Sequence, residues 1–197
     1  MSASEIGVPR HQTAERLFHW LMAVAILVCV FTAFLPIVGV DFEWVDIHWI
    51  AGFVLTASIV FHLWRVFMVL GLSDMALHRQ DLTDLKGISD PAFEPIPGRK
   101  YDLGQKLYHW GIAVVVLATV VSGILMTLKL DTPMWDRDPG LFSGQAWGLI
   151  YVGHGLAALA LIFMFLLHLY FSLLPEHRDL LRAMIRSKYV SMDKRHS

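Results

Sequence analysis

The sequence predicts an all-α integral membrane protein: a four-helix bundle with both termini cytoplasmic and an amphipathic C-terminal helix. Three observations predict it. Hydrophobic residues fill 56% of the 197 positions, charged residues only 17%, and mean hydropathy is +0.55. That balance belongs to a membrane chain rather than to a soluble domain with a large core. The apolar residues gather in four continuous uncharged runs, each near or above the ~20 residues a spanning helix needs. Their continuity excludes a lipid-facing barrel, whose strands alternate. Finally, fourteen of the sixteen Lys and Arg residues fall on one side of the spans that these runs define.

The spans are expected at about 17–40, 47–70, 107–128 and 148–174, within a single domain covering 1–197. The first lies between Arg16 and Asp41. The polar arm before it, Met1–Arg16, has no cleavage pattern, so this span is expected to be retained. The second begins after Asp46 and passes Arg65, which can snorkel, to about Leu70. The third lies between Lys106 and Lys129, and the fourth between Asp138 and Glu176. The loop Ser73–Gln105 carries Pro91, Pro95 and Pro97 and reads as mostly extended, with a short helix near Asp81–Lys86. The outer loop of about 131–147 holds Trp135, Phe142 and Trp147, which suit either the headgroup interface or a docking surface for a periplasmic partner.

Charge then orients the chain. Arg10 and Arg16 precede the first span, six basic residues lie between spans two and three, and six follow span four. Only Lys129 and Arg137 lie opposite. By the positive-inside rule, both termini and the middle loop are cytoplasmic. The tail 175–197 alternates Arg178, Arg182 and Arg186 with Leu180, Leu181, Met184 and Ile185, the pattern of a helix lying on the cytoplasmic leaflet. The net charge of −1 carries no signal for nucleic acid, and no such partner is expected. The single cysteine, Cys29, allows no disulfide and no Cys-ligated zinc or iron–sulfur shell within the chain.

The chemistry lies in histidines. Six of the ten fall in spans: His19, His48, His62, His109, His154 and His168. Ionisable groups inside a bilayer are expensive and read as functional. His154 and His168 share one apolar segment fourteen residues apart, a rise of ~21 Å and nearly four full turns, so both leave one face. They are too far apart to share an ion, and no Asp, Glu or Cys completes a zinc shell. Bis-histidine haem needs only two imidazoles on facing helices. Gly153 and Gly155 bracket His154, and Ala51 and Gly52 follow His48, leaving room for a macrocycle. The outer level pairs His48 with His154. The inner level offers His168 three partners: His19, His62 or His109.

The motifs Arg16-Leu-Phe-His19-Trp20, His48, Tyr101-Asp-Leu-Gly104-Gln105-Lys106, His154…His168 and Leu181-Arg-Ala183-Met184-Ile185 occur in one order along nearly the whole chain. In these the sequence resembles the cytochrome b (gamma) subunits of respiratory formate dehydrogenases and, more distantly, of nickel–iron hydrogenases. The resemblance implies a diheme b subunit of the bacterial inner membrane. It would take electrons from an iron–sulfur subunit attached to a periplasmic catalytic subunit and reduce quinone near the cytoplasmic side. It also implies that His48 and His154 hold the outer haem and that His19 and His168 hold the inner one. The implied quinone pocket includes the turn from Asp102 to Lys106, with Gly104, and His109 lies at the same level. Asp102 stands where the motif usually has Asn, and with Gln105 it would equally form a capping box. His62 and His109 exceed the four ligands required and suit a quinone, a proton path or an alternative ligand pair.

Two other readings compete with this one. One is a stand-alone diheme oxidoreductase of the cytochrome b561 type, acting on a diffusible donor. The other is a haem-free membrane anchor or transporter.

Overall fold

Proline and glycine set where the first helix stops. Helix α1 spans Thr13–Phe34. Pro36 follows one residue beyond Leu35, and a residue before proline is pushed out of the helical region. The chain then turns through Gly39, at φ +91°, and helix α2 starts at Trp44 and runs to Arg65. Val66–Leu70 continues it as a π-helical turn, which Gly71 closes at φ +74°, its N–H donating to Val66 O at 2.9 Å. Both glycines occupy left-handed backbone that side chains disfavour. The computed structural model describes residues 8–9, 13–71, 75–85, 103–175, 178–186 and 189–190.

The short helix expected near Asp81 is a 3₁₀ helix, Arg79–Leu85. Helix α3 spans Leu103–Thr127 and α4 spans Gly144–Leu173. The Ser143 hydroxyl accepts from Ala146 N at 3.3 Å, an N-cap. Helix α5 is Arg178–Arg186. Two short strands, β1 (Val8–Pro9) and β2 (Tyr189–Val190), pair antiparallel with Val8 opposite Val190.

The all-α, four-span expectation holds: among the described residues, four helices are long and apolar enough to cross a membrane. Helices α1, α2 and α3 begin three or four residues before their uncharged runs, at Thr13, Trp44 and Leu103, whereas α4 begins at Gly144, inside its run and four residues before the expected 148. Charge marks where hydrocarbon ends, whereas a helix keeps its backbone bonds through the polar headgroup region. α1 instead ends short of Val40, at the Pro36 turn.

The chain divides into two compact units, Met1–Ser58 with Ile162–Ser197, and Ile59–Leu161. Within the first, the buried residues are small or lightly polar: Ala25, Thr32, Ala51, Ser58 and Ala183, with Ile26 and Leu55. Small residues let apolar helices approach closely. Within the second they are Asp81, Leu103, Lys106, Val116, Thr127, Trp147 and Leu161. Only 6% of the apolar window of α4 is buried, and Leu149, Leu156 and Phe163 are exposed. In water such a face would be an aggregation liability; against lipid tails it is not. Hydroxyls along the spans bond back to carbonyls four residues earlier, as Thr56 does to Gly52 O at 2.8 Å and Thr119 to Val115 O at 2.9 Å. That satisfies them without water.

The aromatics Trp135 and Trp147 act inside the second unit as loop staples. Trp135 Nε1 donates to Thr127 O at 3.2 Å. Trp147, 4% exposed, donates to Pro139 O at 2.9 Å and lies under Lys129 Nζ at 4.8 Å from its ring.

Candidate functional site

His48 sits at the start of α2, half-buried, with Nδ1 2.9 Å from Thr32 Oγ1. The Thr32 hydroxyl has one proton, and its two carbonyl contacts on α1, Val28 O at 2.7 Å and Cys29 O at 3.1 Å, are groups that can only take it. The hydroxyl oxygen therefore accepts from the imidazole. This network assigns the N–H to Nδ1 and the lone pair to Nε2. Trp44 stands edge-on to the ring with centroids 6.2 Å apart.

His154, in the second unit, reaches the same tautomer by another route. Its Nδ1 lies 3.1 Å from Thr119 O and 3.0 Å from Ser122 Oγ. A carbonyl only accepts, so Nδ1 carries the hydrogen and Nε2 the lone pair. Thr119, Ser122 and Gly123 share one face of α3 at i, i+3 and i+4. A Cβ on Gly123 would lie 3.2 Å from His154 Cε1 and 3.7 Å from Nδ1. Glycine is what lets the ring seat against α3. A metal-ligating histidine characteristically donates its other ring N–H to a carbonyl or polar oxygen, and both residues do so here.

His19 on α1 and His168 on α4 belong to the first unit, with ring centroids 6.1 Å apart and planes tilted by 54°. Two imidazoles this close on separate helices are the residues that would hold one haem iron between them. Trp20 packs edge-on against His19 at 5.4 Å. His19 is half-buried and His168 exposed.

The remaining expected site residues lie in the second unit or outside the described residues. His62 lies on α2 and His109 on α3, both in the second unit. Gly104 is exposed in the first turn of α3. Asp102, and with it the expected capping box, lies outside the described residues. Lys106 is 5% exposed. Its ammonium donates to Asp81 at 3.1 and 3.2 Å and to Ala76 O at 2.9 Å. Asp81, 2% exposed, also accepts from His78 N at 2.7 Å. Trp110 Nε1 donates to Met75 O at 3.0 Å. The 75–85 segment is thus pinned to the start of α3.

Among the described residues, no three His, Cys, Asp or Glu side chains converge as a zinc or Cys-ligated cluster would require. Two-imidazole ligation of a haem iron makes no such demand, and the four histidines fit it in tautomer or spacing. Thr32, Thr119, Ser122, Gly123 and Asp81 escaped sequence reasoning. A hydroxyl in an apolar span is a signal for the first three, but helix packing produces the same signal.

Two comparisons with known proteins bear on the site. A family profile described as prokaryotic cytochrome b561 matches residues 10–187. The cytochrome b556 subunit of formate dehydrogenase from Haemophilus influenzae is 24% identical over 143 residues, 63% of this chain and 56% of that protein. The matched region therefore spans little more than half of that relative.

Proposed function

The chain belongs to the prokaryotic cytochrome b561 family, and from that premise we propose that it is the diheme b subunit of a formate dehydrogenase-like respiratory complex of the bacterial inner membrane. It is a multi-pass membrane protein of the cytochrome b, electron-transfer type. It would accept electrons from an iron–sulfur subunit joined to a periplasmic catalytic subunit and deliver them to quinone near the cytoplasmic side. The likeness to the formate dehydrogenase b556 subunit supports that arrangement. Both termini would be cytoplasmic, with α5 an amphipathic helix on that leaflet.

His48 and His154 would hold the outer haem iron, and His19 and His168 the inner one. When bound, each haem would supply a one-electron couple. The chain's own work is to fix the ligands and to carry both centres on one rail. α4 bears His154 and His168, fourteen residues or ~21 Å of helical rise apart. Asp102, Gly104 and His109 would line the quinone site, with Lys106 acting there through its pair with Asp81.

The observation that carries this reading is the hydrogen bonding of His154 Nδ1 to Thr119 O, which directs the lone pair to Nε2. The test is haem counting in purified complex by the reduced b-type absorbance. His48→Ala and His154→Ala should each lose the same single haem, and His19→Ala and His168→Ala the other. Two haems retained in His154→Ala would overturn the assignment. If His62→Ala rather than His19→Ala matches His168→Ala, the inner pair is His62 with His168.

The family description favours a second reading, a stand-alone b561-type quinone oxidoreductase. Purification alone with full haem and quinone activity would select it.

A further inference from the structure

Arg16 precedes His19 by three residues and Trp20 by four, so all three share one face of α1. Arg16 is half-buried, and its guanidinium reaches across to α5. Nε donates to Met184 O at 3.0 Å and Nη2 to Ile185 O at 2.7 Å. Trp20 Nε1 adds a third bond to Met184 O at 3.4 Å. Met184 and Ile185 lie in the last turn of α5, where carbonyls have no partner within their own helix and carry the negative end of its dipole. A forked cation is well matched to two such carbonyls. Ala183, 2% exposed, sits beside them, and the pairing of β1 with β2 ties the chain just beyond to the N-terminal arm.

We propose that Arg16 is a positioning residue for the inner haem ligand: it docks the end of α5 onto α1, and this dock holds the face from which His19 meets His168. The inference rests on the assignment of His19 and His168 to one iron. The coupling runs through two contacts. Trp20 donates to the tail and packs edge-on against the His19 ring at 5.4 Å, and that ring lies 6.1 Å from His168. The C-terminal helix is thereby part of the ligand's support.

The test uses the full-length complex, with the inner-haem signal defined as the one that His168→Ala removes. Arg16→Gln should shift the EPR signature and midpoint potential of that haem while leaving the other unchanged. It should also speed amide hydrogen exchange in 178–186 at least tenfold. Arg16→Lys keeps the charge but loses the fork, and should shift the same signal less. Trp20→Phe keeps the ring against His19 but removes the donor, and should do likewise. Faster exchange with an unmoved inner haem would overturn the proposal, as would unchanged exchange. If Arg16→Gln disturbs both haems through misfolding, the two milder variants decide; equal effects on both haems would overturn it. If His168→Ala removes no haem, the ligand assignment fails, while the exchange measurement still reads the dock directly.

Discussion

His154 Nδ1 stands 3.1 Å from the carbonyl oxygen of Thr119, a group that can only accept, so the hydrogen of this imidazole has a fixed address. The Ser122 hydroxyl at 3.0 Å shares it. Ser122→Ala leaves the carbonyl and hence the tautomer, but removes half of the support. On the proposed ligation by His154, haem affinity at the outer site should fall toward the lower end of the 10–100-fold usual for supporting hydrogen bonds. A weaker N–H bond makes the ligand less basic, which disfavours the ferric state, so the midpoint potential of that haem should rise. A redox titration checks the direction, and a fall would contradict it.

Thr32→Val tests the equivalent contact at His48. The substitution keeps shape but removes the oxygen that accepts from Nδ1 at 2.9 Å. The ring then loses the bond that fixes its tautomer and angle. The expected loss is again about 10–100-fold in haem affinity, at the same haem that Ser122→Ala affects. Different haems responding to the two variants would separate His48 from His154.

Gly123→Ala sets two effects against each other. Alanine in a helix interior is favoured over glycine by about 0.5–1 kcal/mol. Its Cβ, however, would lie 3.2 Å from His154 Cε1, so the ring must give by a few tenths of an ångström. Thermal stability of the haem-free protein should hold or rise slightly while outer-haem occupancy falls. Occupancy and unfolding temperature measured on one preparation should move in opposite directions.

The spans were legible because a run of apolar residues without charge admits few other readings, and the 3₁₀ turn near Asp81 was legible from its polar surroundings. Helix starts were not, since Thr13, Trp44 and Leu103 lie in stretches where charge and helix coexist, and no charge marks the start at Gly144. The span histidines were visible as costly polar groups in apolar runs. Their supports were not. Ser122 and Thr32 look like any hydroxyl bonded back to its own helix, and Gly123 looks like any small packing residue. Lys106 read as a quinone contact because its motif said so, and nothing in the sequence announced that Asp81, twenty-five residues earlier, would bury its charge.

That burial makes a prediction of its own. Lys106 and Asp81 side chains are 7% and 3% exposed and 3.1 Å apart. Removing either partner strands the other's charge, a loss of about 3–5 kcal/mol, whereas replacing both with apolar residues is often nearly neutral. Asp81→Leu and Lys106→Met should each lower thermal stability in detergent sharply, and the double variant should recover most of it. If the double variant is stable but reduces quinone slowly, the pair serves the quinone site; if it turns over normally, the pair only anchors the 75–85 segment.

Orientation rests on fourteen basic residues against two, and labelling can read it. Arg137 is exposed and its bond to Asp131, at 3.4 Å, joins side chains 64% and 66% exposed. Such a surface pair contributes at most about 1 kcal/mol, so Arg137→Cys should be tolerated. Arg79 is exposed at the start of the 3₁₀ helix. In a Cys29→Ala background, a membrane-impermeant maleimide added to spheroplasts should label Arg137→Cys and leave Arg79→Cys untouched until the membrane is opened. The reverse pattern would put the His48 and His154 end toward the cytoplasm. Under the proposed function, donor and quinone would then exchange sides and electron flow across the membrane would invert.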